Sequence, residues 1–296
     1  MITSTSNTSP SMPELQREGA AGLLARVVVG VSDPDATAQF MHDGLDFSVK
    51  QIDDSWLVMC AGEYGSGGQG ALELRRSTSL ELLDIVFATP PGFDTASVPL
   101  SFGGVRTRSG GLRLTDPSGI SVSLEPSDNL AVEPPTASSL RPRRLGHLNA
   151  NAPNPGRTAQ FYTEVMGLAL SEQIGENLYF LRTHTEHHNV GLRPGAQGGL
   201  HHLGFEVAGW HAYQPILDHL DSMGYKAEYG PGRHRPGLSY FTYVRDPSSG
   251  LRLELFADMS HINTGHDTEP IVWDAEDRMT KTINCWGPTP PESFFE

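Results

Sequence analysis

The stretch D-P-D-A-T-A-Q-F at residues 33–40 is written a second time as N-P-G-R-T-A-Q-F at residues 154–161, an offset of 121 positions. A second pair of phrases follows the same rhythm: L-T-D-P-S-G-I-S-V-S at 114–123 and V-R-D-P-S-S-G-L-R-L at 244–253. Each T-A-Q-F opens a short amphipathic helix. In the later copy Phe161, Tyr162, Val165 and Met166 recur at helical spacing, and Gly167 is a natural stop. Each D-P-S-G reads as a turn leading into a short alternating strand.

Working outward from these phrases, the chain divides into two homologous domains, at 22–128 and 143–260. A Pro-, Ser- and charge-rich linker at 129–142 separates them, residues 1–21 read as a disordered arm, and 261–296 form a C-terminal tail. Within each domain the order is strand, helix, several strands, then the same again. The fold class expected is α+β.

Composition narrows the functions. With 296 residues there is room for two domains, and 38% apolar content can build a core at that length. The 32 glycines and 22 prolines suit many short strands and turns. A net charge of -14 disfavours nucleic acid and anionic membranes as partners, since phosphate binding needs clustered Lys and Arg. Cys60 and Cys285 make neither a disulfide framework nor a C-x-x-C motif, and a cytoplasmic setting is expected. The N-terminus lacks the features of a signal peptide, and no apolar run is long enough to span a membrane.

Three residues of the second half carry chemistry. His147 lies in R-R-L-G-H-L-N-A, His202 in G-L-H-H-L-G-F-E-V and Glu254 in G-L-R-L-E-L-F, each segment reading as a strand. Two imidazoles and one carboxylate on rigid strands suit a facial three-ligand site for a divalent metal, one that leaves coordination positions open. The first half lacks these groups: Asp84 stands at the place of His202, Ser123 at that of Glu254, and Arg26 or Val27 at that of His147. The metal is therefore expected in the second half alone.

The order His147, His201-His202 and Glu254 after D-P-S-S-G resembles the vicinal oxygen chelate superfamily, and more narrowly its two-domain extradiol ring-cleaving catechol dioxygenases. The resemblance covers roughly residues 22–290 and is most specific in the second half. It implies that each domain is built of two βαβββ modules forming a curled mixed sheet around a cavity. It implies Fe(II), with Mn(II) as the alternative, held by His147, His202 and Glu254. It implies an aromatic diol and O2 as reactants, and homo-oligomeric assembly. His202 rather than His201 is the expected ligand because the F-E-V frame matches, strand alternation sending the two side chains to opposite faces. Family motifs also match at H-H-N-V-G-L, which places His188 as the acid/base, and at G-P-G-R-H, which gives His234 with Tyr243 nine residues on. Both of these would hydrogen-bond the substrate.

The tail P-I-V-W-D-A-E-D-R-M-T-K-T-I-N-C-W-G-P resembles the extension that closes over the site in homoprotocatechuate-cleaving members. Tyr229 stands where carboxylate-binding members have Arg, so neutral catechols are expected, with Arg278 and Lys281 as the nearest cations of the tail. Tyr229, Phe180 and Phe241 read as core. Two other functions remain on this reading: a glyoxalase-like metal-dependent isomerase or epimerase, which uses four ligands from two modules, and a metal-free protein that binds a small molecule or confers resistance.

Overall fold

A computed structural model describes residues 21–60, 72–89, 92–98, 100, 102–108, 110–126, 141–262 and 269–295. The expected N-terminal arm and linker lie almost wholly outside these residues.

In the first half, β1 (Leu24–Val31) leads into α1 (Pro34–Leu45), followed by β2 (Ser48–Ile52), β3 (Ser55–Met59), β4 (Leu72–Arg76), β5 (Glu81–Thr89), β6 (Val105–Arg106), β7 (Leu112–Thr115) and β8 (Ser121–Pro126). The second half runs β9 (Arg144–Ala152), α2 (Pro155–Glu164), β10 (Ala169–Ile174), β11 (Leu178–Arg182), β12 (Val190–Pro194), β13 (Gly199–Glu206), α3 (Tyr213–Ser222), β14 (Tyr229–Arg233), β15 (Tyr240–Arg245) and β16 (Arg252–Ala257). A short tail strand, β17 (Ile271–Trp273), follows.

The repeated D-P and N-P steps start the helices by the same device. The Asp33 carboxylate accepts from the Ala36 N–H and the Asn154 amide oxygen from the Arg157 N–H, with Pro next in the first turn, where its missing N–H costs nothing.

The strands form two sheets, ordered β2-β3-β4-β1-β5-β8-β7-β6 and β14-β15-β16-β13-β9-β12-β11-β10-β17. In each module the first and last strands pair in parallel, and the two modules of a half join through the antiparallel pairs β1/β5 and β9/β13. This is the mixed α+β sheet architecture expected, with one departure. The second module of the first half has a three-residue 3-10 turn, Thr95–Ser97, where the other three modules have a helix. Prolines at 90, 91 and 99 bracket that stretch, and a proline inside a helix removes a hydrogen bond and clashes with the preceding turn.

The halves share one apolar core. Phe47 meets Phe205, Phe102 meets Phe161 and Phe40 meets Tyr225 edge to face, all at about 5 Å between ring centres. The repeated phrases mate across the halves. Thr37 of the first T-A-Q-F donates to Asp246 of the second turn at 2.7 Å, and Ser118 of the first turn lies 2.9 Å from Thr158 of the second T-A-Q-F.

Two local features aim the site residues. His147 on β9 faces Gly204 on β13, where a Cβ would lie 2.1 Å from the imidazole, so only glycine leaves room for the ring. One residue earlier than His202, the pairing slips: Leu200 faces Ala150 and His202 faces Asn149, which makes His201 the extra residue of a β-bulge.

A candidate metal centre

His147, His202 and Glu254 come from three adjacent strands, β9, β13 and β16, and their side chains converge. The Glu254 Oε2 atom is 3.0 Å from His147 Nε2 and 3.0 Å from His202 Nε2, and one donor atom from each residue lies within 4.8 Å of the others. All three are buried, at 1, 5 and 2% exposure. The arrangement fits a divalent ion on three grounds. Metal–ligand bonds of about 2.1 Å at right angles put cis donors about 3 Å apart, the spacing of both His–Glu edges. Glu254 Oε1 is buried with no hydrogen-bond partner among the described residues. The charge states also suit it. Burial alone would raise the Glu254 carboxyl, but His147 and His202 together outweigh it and hold the group well below the usual carboxylate range. Burial depresses His202 to about 4 despite the opposing pull of Glu254, so its imidazole is neutral near pH 7 and can act as a ligand.

The other expected residues surround this group in a cavity open to solvent. His188 packs its ring 4.6 Å from that of His147 and 5.0 Å from that of Phe180. Burial, reinforced by His147 and His187, depresses its pKa well below the ordinary histidine value. Tyr243 donates to Glu254 Oε2 at 2.9 Å and lies 3.0 Å from His234 Nε2, while His234 Nδ1 is 2.6 Å from the Ile283 carbonyl of the tail. Burial lowers the pKa of His234, and burial together with Glu254 raises that of Tyr243 well above the phenol value.

Several expectations change. His201 does not turn to the opposite face. The bulge re-aims it to line the same cavity, 2.7 Å from His202 between their Nδ1 atoms. Phe180 lines the cavity rather than the core, whereas Tyr229 and Phe241 pack in a buried cluster with Tyr243 and Phe294. The Tyr229 hydroxyl donates to the Pro288 carbonyl, so the residue at that position does not reach the cavity. Lys281 turns outward and pairs with Asp277 at 2.7 Å, while Arg278 lines the cavity. Trp286 is exposed and packs on Trp210 and Tyr240.

Arg193 on β12, Asn149 on β9 and the ring of Phe294 are among the cavity residues not anticipated. Asn149 could have been found, because alternation places it on the face of His147 two residues away. Arg193 lies on the strand V-G-L-R-P, and nothing in that pattern says which way its side chain points. The Nε atoms of Arg193 and Arg278 are buried without a hydrogen-bond partner among the described residues, and burial first, then the charge of Arg278, lowers Arg193 to about 10.

Residues 144–255 match the Glyoxalase/Bleomycin resistance protein/Dioxygenase superfamily. Metapyrocatechase 2 of Cupriavidus necator is 33% identical over 158 residues, covering 52% of this chain and 47% of the relative. The chain thus spans about half the length of the curated relatives it matches. Two solved structures share the fold. One is the complex of homoprotocatechuate 2,3-dioxygenase from Brevibacterium fuscum with 3,4-dihydroxyphenylacetate, with TM-score 0.80, 20% identity, and 95% of this chain and 94% of that one covered. The other is the Mn(II)-bound glyoxalase from Novosphingobium aromaticivorans, with TM-score 0.76, 20% identity, and 93% and 94% covered. Among the described residues no helix is long and apolar enough to cross a membrane.

Proposed function

We propose that the chain is an extradiol dioxygenase, opening the ring of a catechol-type aromatic beside its diol with O2. The observation that carries this reading is the convergence of His147, His202 and Glu254 on one wall of a cavity that also holds His188, His234 and Tyr243. The metal-dependent isomerase reading calls for a fourth donor, and the cluster found among the described residues has three. Metapyrocatechase is the activity named for two relatives, each similar over about half of this chain.

In this reading His147, His202 and Glu254 hold Fe(II), or Mn(II), which accepts the same N and O donors. Such an ion supplies a Lewis acid and a route for electrons from ring to O2. The chain's own residues do the rest. His188, kept neutral by burial, takes a proton from a diol hydroxyl and returns it as the ring opens. His234 and Tyr243 hydrogen-bond the reacting oxygens and fix their orientation. Phe180 and Phe294 supply apolar walls for the ring. Both atoms of O2 enter the product.

Arg193 and Arg278 favour an acidic diol over the neutral one suggested by Tyr229. They are two cavity-lining guanidiniums with no carboxylate partner among the described residues, and a guanidinium fork matches a carboxylate. The reading carries with it work in the cytoplasm and assembly into homo-oligomers.

The test is anaerobic loading with Fe(II) or Mn(II), then O2 uptake and a yellow ring-opened product with 3,4-dihydroxyphenylacetate and with catechol. One O2 consumed per diol is expected. Stoichiometric metal with no uptake on any diol would overturn the reading.

A further inference from the structure

The tail meets the cavity at two places, first around Arg278 and Thr282 and again at Phe294. The second contact is held by charge. A short 3-10 turn, Glu292–Phe295, carries Phe294 into the aromatic cluster of Tyr229, Phe241 and Tyr243. The ring is buried, meets Tyr243 edge to face at 4.8 Å and lines the cavity. So short a piece of 3-10 helix has poor hydrogen bonding of its own. Burying the ring is favourable but has no direction, so it does not decide how the ring stands against the cavity.

Arg252 on β16 supplies the direction. Its buried guanidinium donates to both oxygens of Glu228, at 2.6 and 3.0 Å, to the Ser293 carbonyl at 2.8 Å and to the His201 carbonyl at 3.3 Å. Glu228 accepts in turn from the Ser293 hydroxyl at 3.1 Å. Its own N–H donates to the Tyr243 carbonyl at 2.8 Å, which fixes the carboxylate relative to that wall of the cavity. Arg245 stands farther from Glu228, at 3.8 Å. Ser293 is therefore gripped at both polar groups, its carbonyl by the cation and its hydroxyl by the anion, one residue before Phe294. Arg252 also lies over the face of the Phe294 ring, 5.0 Å from its centre.

A pair this buried adds little net stability, because stripping water from both charges offsets much of their attraction. What it adds is geometry, since a planar guanidinium fork holds its acceptors in fixed directions. We infer that Glu228 and Arg252 are positioning residues that fasten the tail at Ser293 and so set the Phe294 wall of the cavity, and through that wall the affinity for an aromatic ring. Neither residue is among those lining the cavity. The ring's being that of a diol substrate rests on the dioxygenase reading; the fastening of the tail does not.

The experiment places 4-fluorophenylalanine at position 294 of the full chain and reads its 19F signal, then follows the metal-loaded enzyme by kinetics. Glu228→Gln keeps the shape and one acceptor and removes the charge. It should move or split the 19F signal while the far-UV spectrum is unchanged. In the loaded enzyme it should raise KM for 3,4-dihydroxyphenylacetate by about tenfold, with kcat within about threefold. Phe294→Ala should raise KM by as much or more, and in that background Glu228→Gln should add less than about twofold, because the pair acts through the ring. A 19F signal unmoved by Glu228→Gln would overturn the inference. So would a KM effect that persists in full without the Phe294 ring, as expected of a residue that only stabilises the fold. Should Glu228→Gln not fold, Ser293→Ala, which removes only a half-buried hydroxyl, is read in the same way. Absent O2 uptake would count against the dioxygenase reading alone, and the 19F signal of the metal-free protein would still decide the fastening.

Discussion

Where the second half of the chain places His147, His202, Glu254 and Tyr243, the first half places Arg26, Asp84, Ser123 and Arg113. The correspondence is one of strand register. His147 faces Gly204 as Arg26 faces Val86, and His202 faces Asn149 as Asp84 faces Val28. Glu254 faces Gly204 as Ser123 faces Val86, and Tyr243 faces Glu254 as Arg113 faces Ser123. Even the bulge recurs, at Leu83 in place of His201. One backbone frame thus carries two opposite electrostatic solutions. In the first half Ser123 donates to Asp84 at 2.8 Å, Arg113 lies 3.9 Å from the same carboxylate, and Arg26 pairs with Glu73 and Glu125. Cations that can never be ligands sit where the second half has His147 and Tyr243. In the second half the carboxylate faces two neutral-capable rings and keeps one oxygen without a hydrogen bond. A cation fills the first frame with fixed charge, and neutral donors leave the second one able to take a mobile ion.

The largest effect should come from writing the first half's residue into the second. Glu254→Ser removes the only anionic donor of the three, and metal affinity should fall by more than the roughly 10–100-fold that loss of an outer partner costs, with turnover lost; metal analysis after desalting checks this. His188→Phe should keep the metal and bind the diol while losing about 10²–10⁴-fold in kcat, read by single-turnover and steady-state kinetics. His201→Ala removes the ring whose Nδ1 lies 2.7 Å from His202 Nδ1 and should weaken metal binding by about 10–100-fold in a chelator competition. Had His201 pointed to the opposite face, that variant would bind metal normally. Arg193→Met or Arg278→Met should lower kcat/KM for 3,4-dihydroxyphenylacetate by about 10–100-fold relative to catechol, the range for a charged hydrogen bond. The smallest effect is on acid stability. Burial would raise Glu186, but its pairing with Arg144 outweighs that and holds it at about 2, below the ordinary 4.5. A carboxyl depressed on folding contributes stability that is complete above about 4.5 and is lost as pH falls toward 2. Thermal melts across that interval should be flatter in Glu186→Gln than in the unaltered chain.

Local patterns announced the helices, the turns and the doubled architecture, because a capped D-P or N-P step and a D-P-S-G turn are settled by their neighbours in sequence. The convergence of His147, His202 and Glu254 could be anticipated from type, order and strand context. What escaped depends on register and on distant partners. The bulge at His201 follows from how β13 lies against β9, which no alternation rule contains. Glu172 gains its partners His187 and Trp273 from 15 and 101 residues away. Arg193 enters the cavity by the facing of one short strand. The missing helix near Thr95 was there to read in the three flanking prolines, but the repeat suggested a uniform module.

The crossed seating of Thr37 on Asp246 and of Ser118 beside Thr158 separates the unit of ancestry from the unit of cooperativity. A single repeat is what duplication copied, yet each repeat's signature turn docks on the other's helix. A fragment holding only 143–260 would bare Phe161 and Phe205, whose partners Phe102 and Phe47 belong to the other copy. The two halves are therefore expected to unfold together, each lending the other part of its apolar seat.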